Sequence, residues 1–153
     1  LDIVYYLLGL WLAVMSFAGQ PREIMVAQTE PTLWVNVSRT TGDSHSPAMN
    51  YSERLGHVIA WVDETRGPEG EVYFAYKIAA GWVNAPIPHT VGGYQPDVHV
   101  VDAGDVRVCF LHRTGCVVDR FCTTFQEPGW SSVDLVDTIY MRPLWIPLVA
   151  AGG

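Results

Sequence analysis

Trp34, Trp82 and Trp130 stand 48 residues apart. The acidic residues Glu23, Glu71 and Asp119 keep the same step. Gly9, Gly56, Gly104 and Gly152 follow at intervals of 47, 48 and 48, and Pro47, Pro96 and Pro143 at 49 and 47. The markers keep one order in every unit. A fixed period of this size means one small supersecondary unit written several times, with neighbouring copies stacked to bury a shared core. The 153 residues then divide into units at 1–43, 44–93 and 94–142, with a fourth opening at 143–153.

Inside each unit, apolar and polar residues alternate in short runs between Gly and Asp turns, the pattern of antiparallel strands. The third unit reads as strands at Gln95–Val101, Val106–Leu111, Val118–Thr124 and Trp130–Val136. The second reads as Pro47–Tyr51, His57–Val62, Glu71–Tyr76 and Trp82–Ile87, and the first as Asp2–Tyr6, Leu10–Met15, Glu23–Ala27 and Trp34–Val37. Each marker has an expected task. The glycine closes the first turn of the unit, where a positive φ is needed. The proline opens the first strand, a place that tolerates a missing N–H. The tryptophan wedges between neighbouring sheets. The acidic residue sits at a turn and accepts from backbone N–H groups.

Four short antiparallel strands per unit of this length predict an all-β chain built of β-propeller blades: three four-stranded antiparallel sheets plus the start of a fourth. Fourteen Gly and ten Pro scattered along the chain disfavour long helices. The uncharged stretch from Ile3 to Pro21 raises a membrane span or a signal peptide. A basic n-region is missing, and Gly9 falls in phase with the repeat, so the stretch reads as strands. No membrane partner is expected. The acidic balance, 16 Asp+Glu against 9 Lys+Arg, argues against nucleic acid as a partner, because phosphate contacts need clustered cations. Cys109, Cys116 and Cys122 have no C-x-x-C spacing. They read as buried small apolar residues, with one disulfide among them as the alternative.

The order of marks resembles that of sialidase-type propellers built of BNR repeats. Gly81-Trp82 and Gly129-Trp130 stand near the fourth strand, and Ser46-Pro47 and Gln95-Pro96 open the units. That family's Asp-box reads Ser-x-Asp-x-Gly-x-Thr-Trp. Here the Asp position holds Thr29, Lys77 and Phe125, the Ser position holds Ala27, Ala75 and Thr123, and the Trp remains. The resemblance implies a degenerate, partial propeller. Its expected function is a non-catalytic carbohydrate- or protein-binding scaffold unit of a larger protein, in an extracellular or periplasmic setting. The alternative it implies is a fragment of an exo-sialidase-like glycoside hydrolase, so catalytic activity stays open. The expected partners are the missing blades of the same chain or a second copy, and a glycan ligand. No cofactor and no metal site are expected, since the histidines lack ligand spacing.

On this plan, ligands gather at one face, where the connections between units (39–46, 88–95 and 137–142) and the turns between second and third strands (16–22, 63–70 and 112–116) meet. The candidate ligand-binding residues are Arg39, Asp63, His99, His112, Arg113 and Arg142. Arginine suits a carboxylate sugar because its fork donates two parallel hydrogen bonds. Asp63 and Glu64 are adjacent carboxylates on a turn, where both are expected to be solvated.

Overall fold

A computed structural model describes residues 3–7, 10–15, 20–28, 34–101 and 104–140. The described residues are all-β, and none is α-helical. The strands are β1 (Ile3–Leu7), β2 (Leu10–Met15), β3 (Glu23–Gln28), β4 (Trp34–Asn36), β5 (Ser44–Ser52), β6 (Gly56–Asp63), β7 (Glu71–Ile78), β8 (Gly81–Pro86), β9 (Gly93–Val100), β10 (Val106–Thr114), β11 (Val117–Gln126), β12 (Gly129–Trp130) and β13 (Asp134–Tyr140). They form three antiparallel sheets in chain order, β1-β2-β3-β4, β5-β6-β7-β8 and β9-β10-β11-β12, with β13 also paired to β11. The apolar start of the chain supplies β1 and β2, which pair with each other. No helix among the described residues is long and apolar enough to cross a membrane.

The 48-residue period is a register period. The acidic residue opens strand three opposite the last residue of strand two in the first two units, Glu23 facing Met15 and Glu71 facing Asp63, and in the third, where the hairpin is two pairs longer, Asp119 faces His112. Matching register means matching faces, since side chains alternate along a strand. Two cores follow. Val14, Ile24, Val26 and Val37 of the first unit meet Ile59, Trp61, Tyr73 and Ala75 of the second. Val58, Ala60, Val72 and Phe74, on the other face of the second sheet, meet Val98, Val106, Val108, Phe110 and Phe125 of the third. Each sheet thus turns the same set of positions toward its predecessor. Burial of one such large aliphatic or aromatic side chain stabilises the fold by about 1.5–3 kcal/mol.

Two of the three repeated tryptophans wedge between sheets. Trp82 packs on the first core and Trp130 on the second, where its ring stands edge-on to Phe74 at 5.0 Å. Gly56 and Gly104 take φ of 73° and 77° at the first turn of their units, as expected for a left-handed turn position. Other markers behave differently. Pro47 and Pro96 do not open their strands. They lie within β5 and β9, at the irregularities where pairing skips from His45 to Ala48 and from Asp97 to Tyr94. The residues before them, Ser46 and Gln95, have φ of 53° and 47°. A bulge is the other place a strand accepts a residue without an N–H. The repeated carboxylates take side-chain partners rather than backbone N–H groups: Glu23 accepts from the Ser38 hydroxyl, Glu71 pairs with Arg66, and Asp119 accepts from the Thr138 hydroxyl at 2.7 Å. Being inside strands, they find neighbouring amides already used by the ladder.

The outer strand of the third sheet is longer than expected. It breaks at 131–133 and resumes as β13 through Tyr140, so residues 137–140 are strand and not connection. The cysteines also differ from expectation. Cys109 and Cys122 face each other across β10 and β11 and form a disulfide, with their Cα atoms 4.0 Å apart, while Cys116 is a free, exposed thiol.

Candidate functional site at one end of the sheets

Antiparallel pairing sends the turns between second and third strands and the connections between sheets to the same end. At that end the polar residues are densely cross-linked. Arg22 grips Asp43 through its backbone N–H (2.7 Å) and its guanidinium, whose Nε lies 2.9 Å from Oδ2. This bond to Arg22 holds the Asp43 carboxyl below its ordinary value. His45 Nε2 lies 3.4 Å from Glu64 Oε1.

Asp63, expected on a solvated turn, closes β6 and is fully buried. Its Oδ2 accepts from the hydroxyls of Thr40 (2.5 Å) and Ser44 (2.8 Å), and its Oδ1 accepts from the Thr65 N–H (2.9 Å). Burial alone pushes its carboxyl up. The hydroxyls of Thr40, Thr65 and Ser44 and the Thr65 amide outweigh that, and the net shift is downward. Thr40 lies in the connection from the first sheet and Ser44 opens β5, so Asp63 pins that connection to the second sheet from inside.

The remaining candidates are spread over the molecule. Arg39 is exposed at φ 48°, and its Nε donates to the Asn36 carbonyl at 3.1 Å. Arg113 is exposed and donates to the Gly115 carbonyl at 3.0 Å. His99 pairs with Asp97 at 2.9 Å, but it sits near the far end of β9, six residues and therefore about 20 Å along the strand from the Gly93 that faces His112. His112 alone reaches a cavity at the cross-linked end. Arg142 lies outside the described residues.

That cavity, of about 190 Å³, is lined by His89, Val91, Phe110, His112, Phe121 and Val133. The His112 ring stands edge-on to Phe121, with centroids 6.3 Å apart. A second hollow of about 240 Å³ lies on the other side of Val91, walled by Arg66–Glu71. The Gly92 N–H donates to the Gly70 carbonyl at 2.9 Å and holds the two walls together. The two hollows flank Val91: one carries aromatic and imidazole rings, and the other carries Glu69, Glu71 and Arg66. Such a site offers shape, apolar contact and a few polar groups at its edge. Phe110, Phe121 and Val133 read in the sequence as ordinary strand residues, and no local signal marked them. Thr90 was missed too. Its hydroxyl accepts from the Val72 N–H, as the Ser38 hydroxyl accepts from the Ile24 N–H one unit earlier. Among the described residues no group of three or more His, Cys, Asp or Glu is placed to hold a metal ion.

Tyr73 is the buried phenol nearest this end. Burial, followed by the charge of Asp63, pushes its hydroxyl up, away from the phenolate that a tyrosine nucleophile requires. No protein-family model matches the chain, and no curated protein matches it.

Proposed function

We propose that the three sheets are successive blades of a degenerate sialidase-like β-propeller, and that the chain is a non-catalytic binding unit whose ligand sits in the groove around Val91. The carrying observation is the groove itself, with Phe110, Phe121, Val91 and Val133 as apolar wall and His89 and His112 at its rim. Rings of this kind stack on the apolar face of a sugar, while imidazole edges take its hydroxyls. A carbohydrate is therefore the favoured ligand. The two described arginine candidates are tied to local carbonyls, which speaks against a carboxylate-binding arginine triad. The disulfide supports an extracellular or periplasmic setting.

A glycan array followed by calorimetry on the best hit tests this reading. Wild-type chain is expected to bind, and Phe121→Ala and His112→Ala to weaken binding at least ten-fold at unchanged fold. Absence of any glycan binding, or turnover of a fluorogenic sialoside, overturns it.

A further inference from the structure

The hollow walled by Arg66–Glu71 is built beside a buried carboxylate. Glu71 opens β7, and its side chain is only 7% exposed. It stands directly opposite Asp63 across the β6–β7 ladder, so two buried carboxylates share one face of the sheet. Like charges so placed oppose folding unless each finds a partner. Asp63 is served by hydroxyls and an amide, which bring no positive charge. Among the described residues Glu71 has Arg66 alone, and the grip is loose. Arg66 Nη1 lies 3.4 Å from Oε1 and 3.3 Å from Oε2, beyond the about 2.7–2.9 Å of a charge-assisted bond. Oε2 is buried and accepts no hydrogen bond. The Arg66 side chain is 62% exposed, so it can swing into water at little cost.

The rest of the wall is hydrogen-bonded in place and adds a second carboxylate. The Gly67 N–H donates to the Glu64 carbonyl and the Gly70 N–H to the Gly67 carbonyl, each at 3.1 Å. The exposed Glu69 forms no ion pair among the described residues. The hollow therefore sets two carboxylates against one displaceable guanidinium, in a chain of net charge −7. Its volume is about 240 Å³, and that of its neighbour across Val91 about 190 Å³. Each is smaller than the about 300 Å³ at which ligand pockets begin, so an occupant of that size spans both. Aromatic and imidazole rings on one side of Val91 and carboxylates on the other fit a sugar ring that carries a cation. Given the reading of the groove as a glycan site, on which this rests, we infer that the glycan is an amino sugar with a free amine. Its ring lies on the Phe121 side of Val91, and its ammonium enters the neighbouring hollow, displaces Arg66 and binds Glu71, with Glu69 at the rim. An ammonium offers three charged donors to the carboxylate; a hydroxyl or an N-acetyl group cannot replace the charge of Arg66 and gains nothing there.

Calorimetry with three β-1,4-linked tetramers that differ only at C2 tests it: glucosamine, N-acetylglucosamine and glucose, in a weakly acid buffer that keeps the amines protonated. The wild-type chain is expected to bind the glucosamine tetramer at least ten-fold tighter than the other two. Glu71→Gln is expected to erase that preference while leaving the affinity for the glucose tetramer unchanged. Arg66→Ala, at an exposed side chain, is expected to tighten the glucosamine tetramer at least three-fold and to leave the glucose tetramer unmoved; a merely structural arginine would do neither. That variant decides the matter even where Glu71→Gln fails to fold. Equal binding of all three tetramers overturns the amine and leaves the glycan groove standing, whereas binding of none removes the groove reading as well. A preference indifferent to both substitutions reduces the effect to general attraction by an acidic chain and overturns the inference. Trilysine bound as tightly as the glucosamine tetramer overturns it in favour of a basic peptide.

Discussion

The side-chain amide of Asn84, on the outer strand of the second sheet, donates to the carbonyls of both Val37 and Ser38, where the chain leaves the first sheet. One half-buried side chain thus satisfies two backbone acceptors 46 and 47 residues away. Asn84→Ala leaves both without that partner. The expected loss is about 1–3 kcal/mol in urea denaturation. A change under about 0.5 kcal/mol would mean that water replaces the amide at no cost.

Asp63 predicts the acid limb of the stability curve. Its folded pKa lies below the unfolded value, so its contribution is full above the ordinary carboxylate range and disappears as pH falls through the folded pKa. Stability should therefore drop below about pH 4, the unfolded carboxylate value. Asp63→Asn is expected to lower stability at neutral pH by about 1–3 kcal/mol, because an amide cannot accept from all the donors aimed at it. It should also flatten the profile below pH 4. Denaturation midpoints from pH 2 to 7 decide it, and an unchanged acid slope in the variant counts against Asp63. Arg22→Ala provides the contrast, since that pair is partly open to solvent and is worth about 0–1 kcal/mol.

Cross-linking residues 13 positions apart should stabilise the hairpin by restricting the unfolded chain. For a loop near this length the entropic estimate is about 3 kcal/mol. Cys109→Ala with Cys122→Ala, or reduction with dithiothreitol, is expected to lower the denaturation midpoint accordingly. Cys116→Ser, at an exposed turn, should leave it unmoved. Equal effects from the two changes would contradict the assigned pairing.

Turn geometry makes a graded prediction. An alanine at Gly104 must adopt φ near 77° and brings its Cβ to 3.2 Å from Cβ of Arg54, whereas a Cβ at Gly129 meets nothing within 4 Å. Gly104→Ala is expected to cost about 1 kcal/mol or more, and Gly129→Ala to stay within about 0.5 kcal/mol. Thermal melts of the two variants should separate in that order.

Much of the fold was legible because two independent signals agree: period-two alternation inside the strands and a 48-residue step between them. The features missed depend on single-residue register or on distant partners. Cys109 and Cys122 lie five positions down each strand from Thr114 and Val117, so their meeting depends on the turn being Gly115-Cys116. Moving that turn by one residue would put one cysteine on the opposite face. Asp63 looked like a turn carboxylate because the hydroxyls that bury it come from distant positions, Thr40 from the preceding unit and Ser44 from the facing strand β5. The groove was legible only as an end of the sheets. His112 could be placed there from topology, but Phe110 and Phe121 carry the same alternation as any core residue.

The kinks at Ser46-Pro47 and Gln95-Pro96 have a bearing on how safely such a chain can be handled by a cell. β5 and β9 are the terminal strands of their sheets, each with one side free of a hydrogen-bonded neighbour in its own sheet. Straight, amide-rich borders of that sort recruit stray segments and seed fibrils. A missing amide beside a bent backbone spoils the template at the middle of both borders, so the prolines protect the newly made chain from zipping onto its neighbours before its sheets have come together.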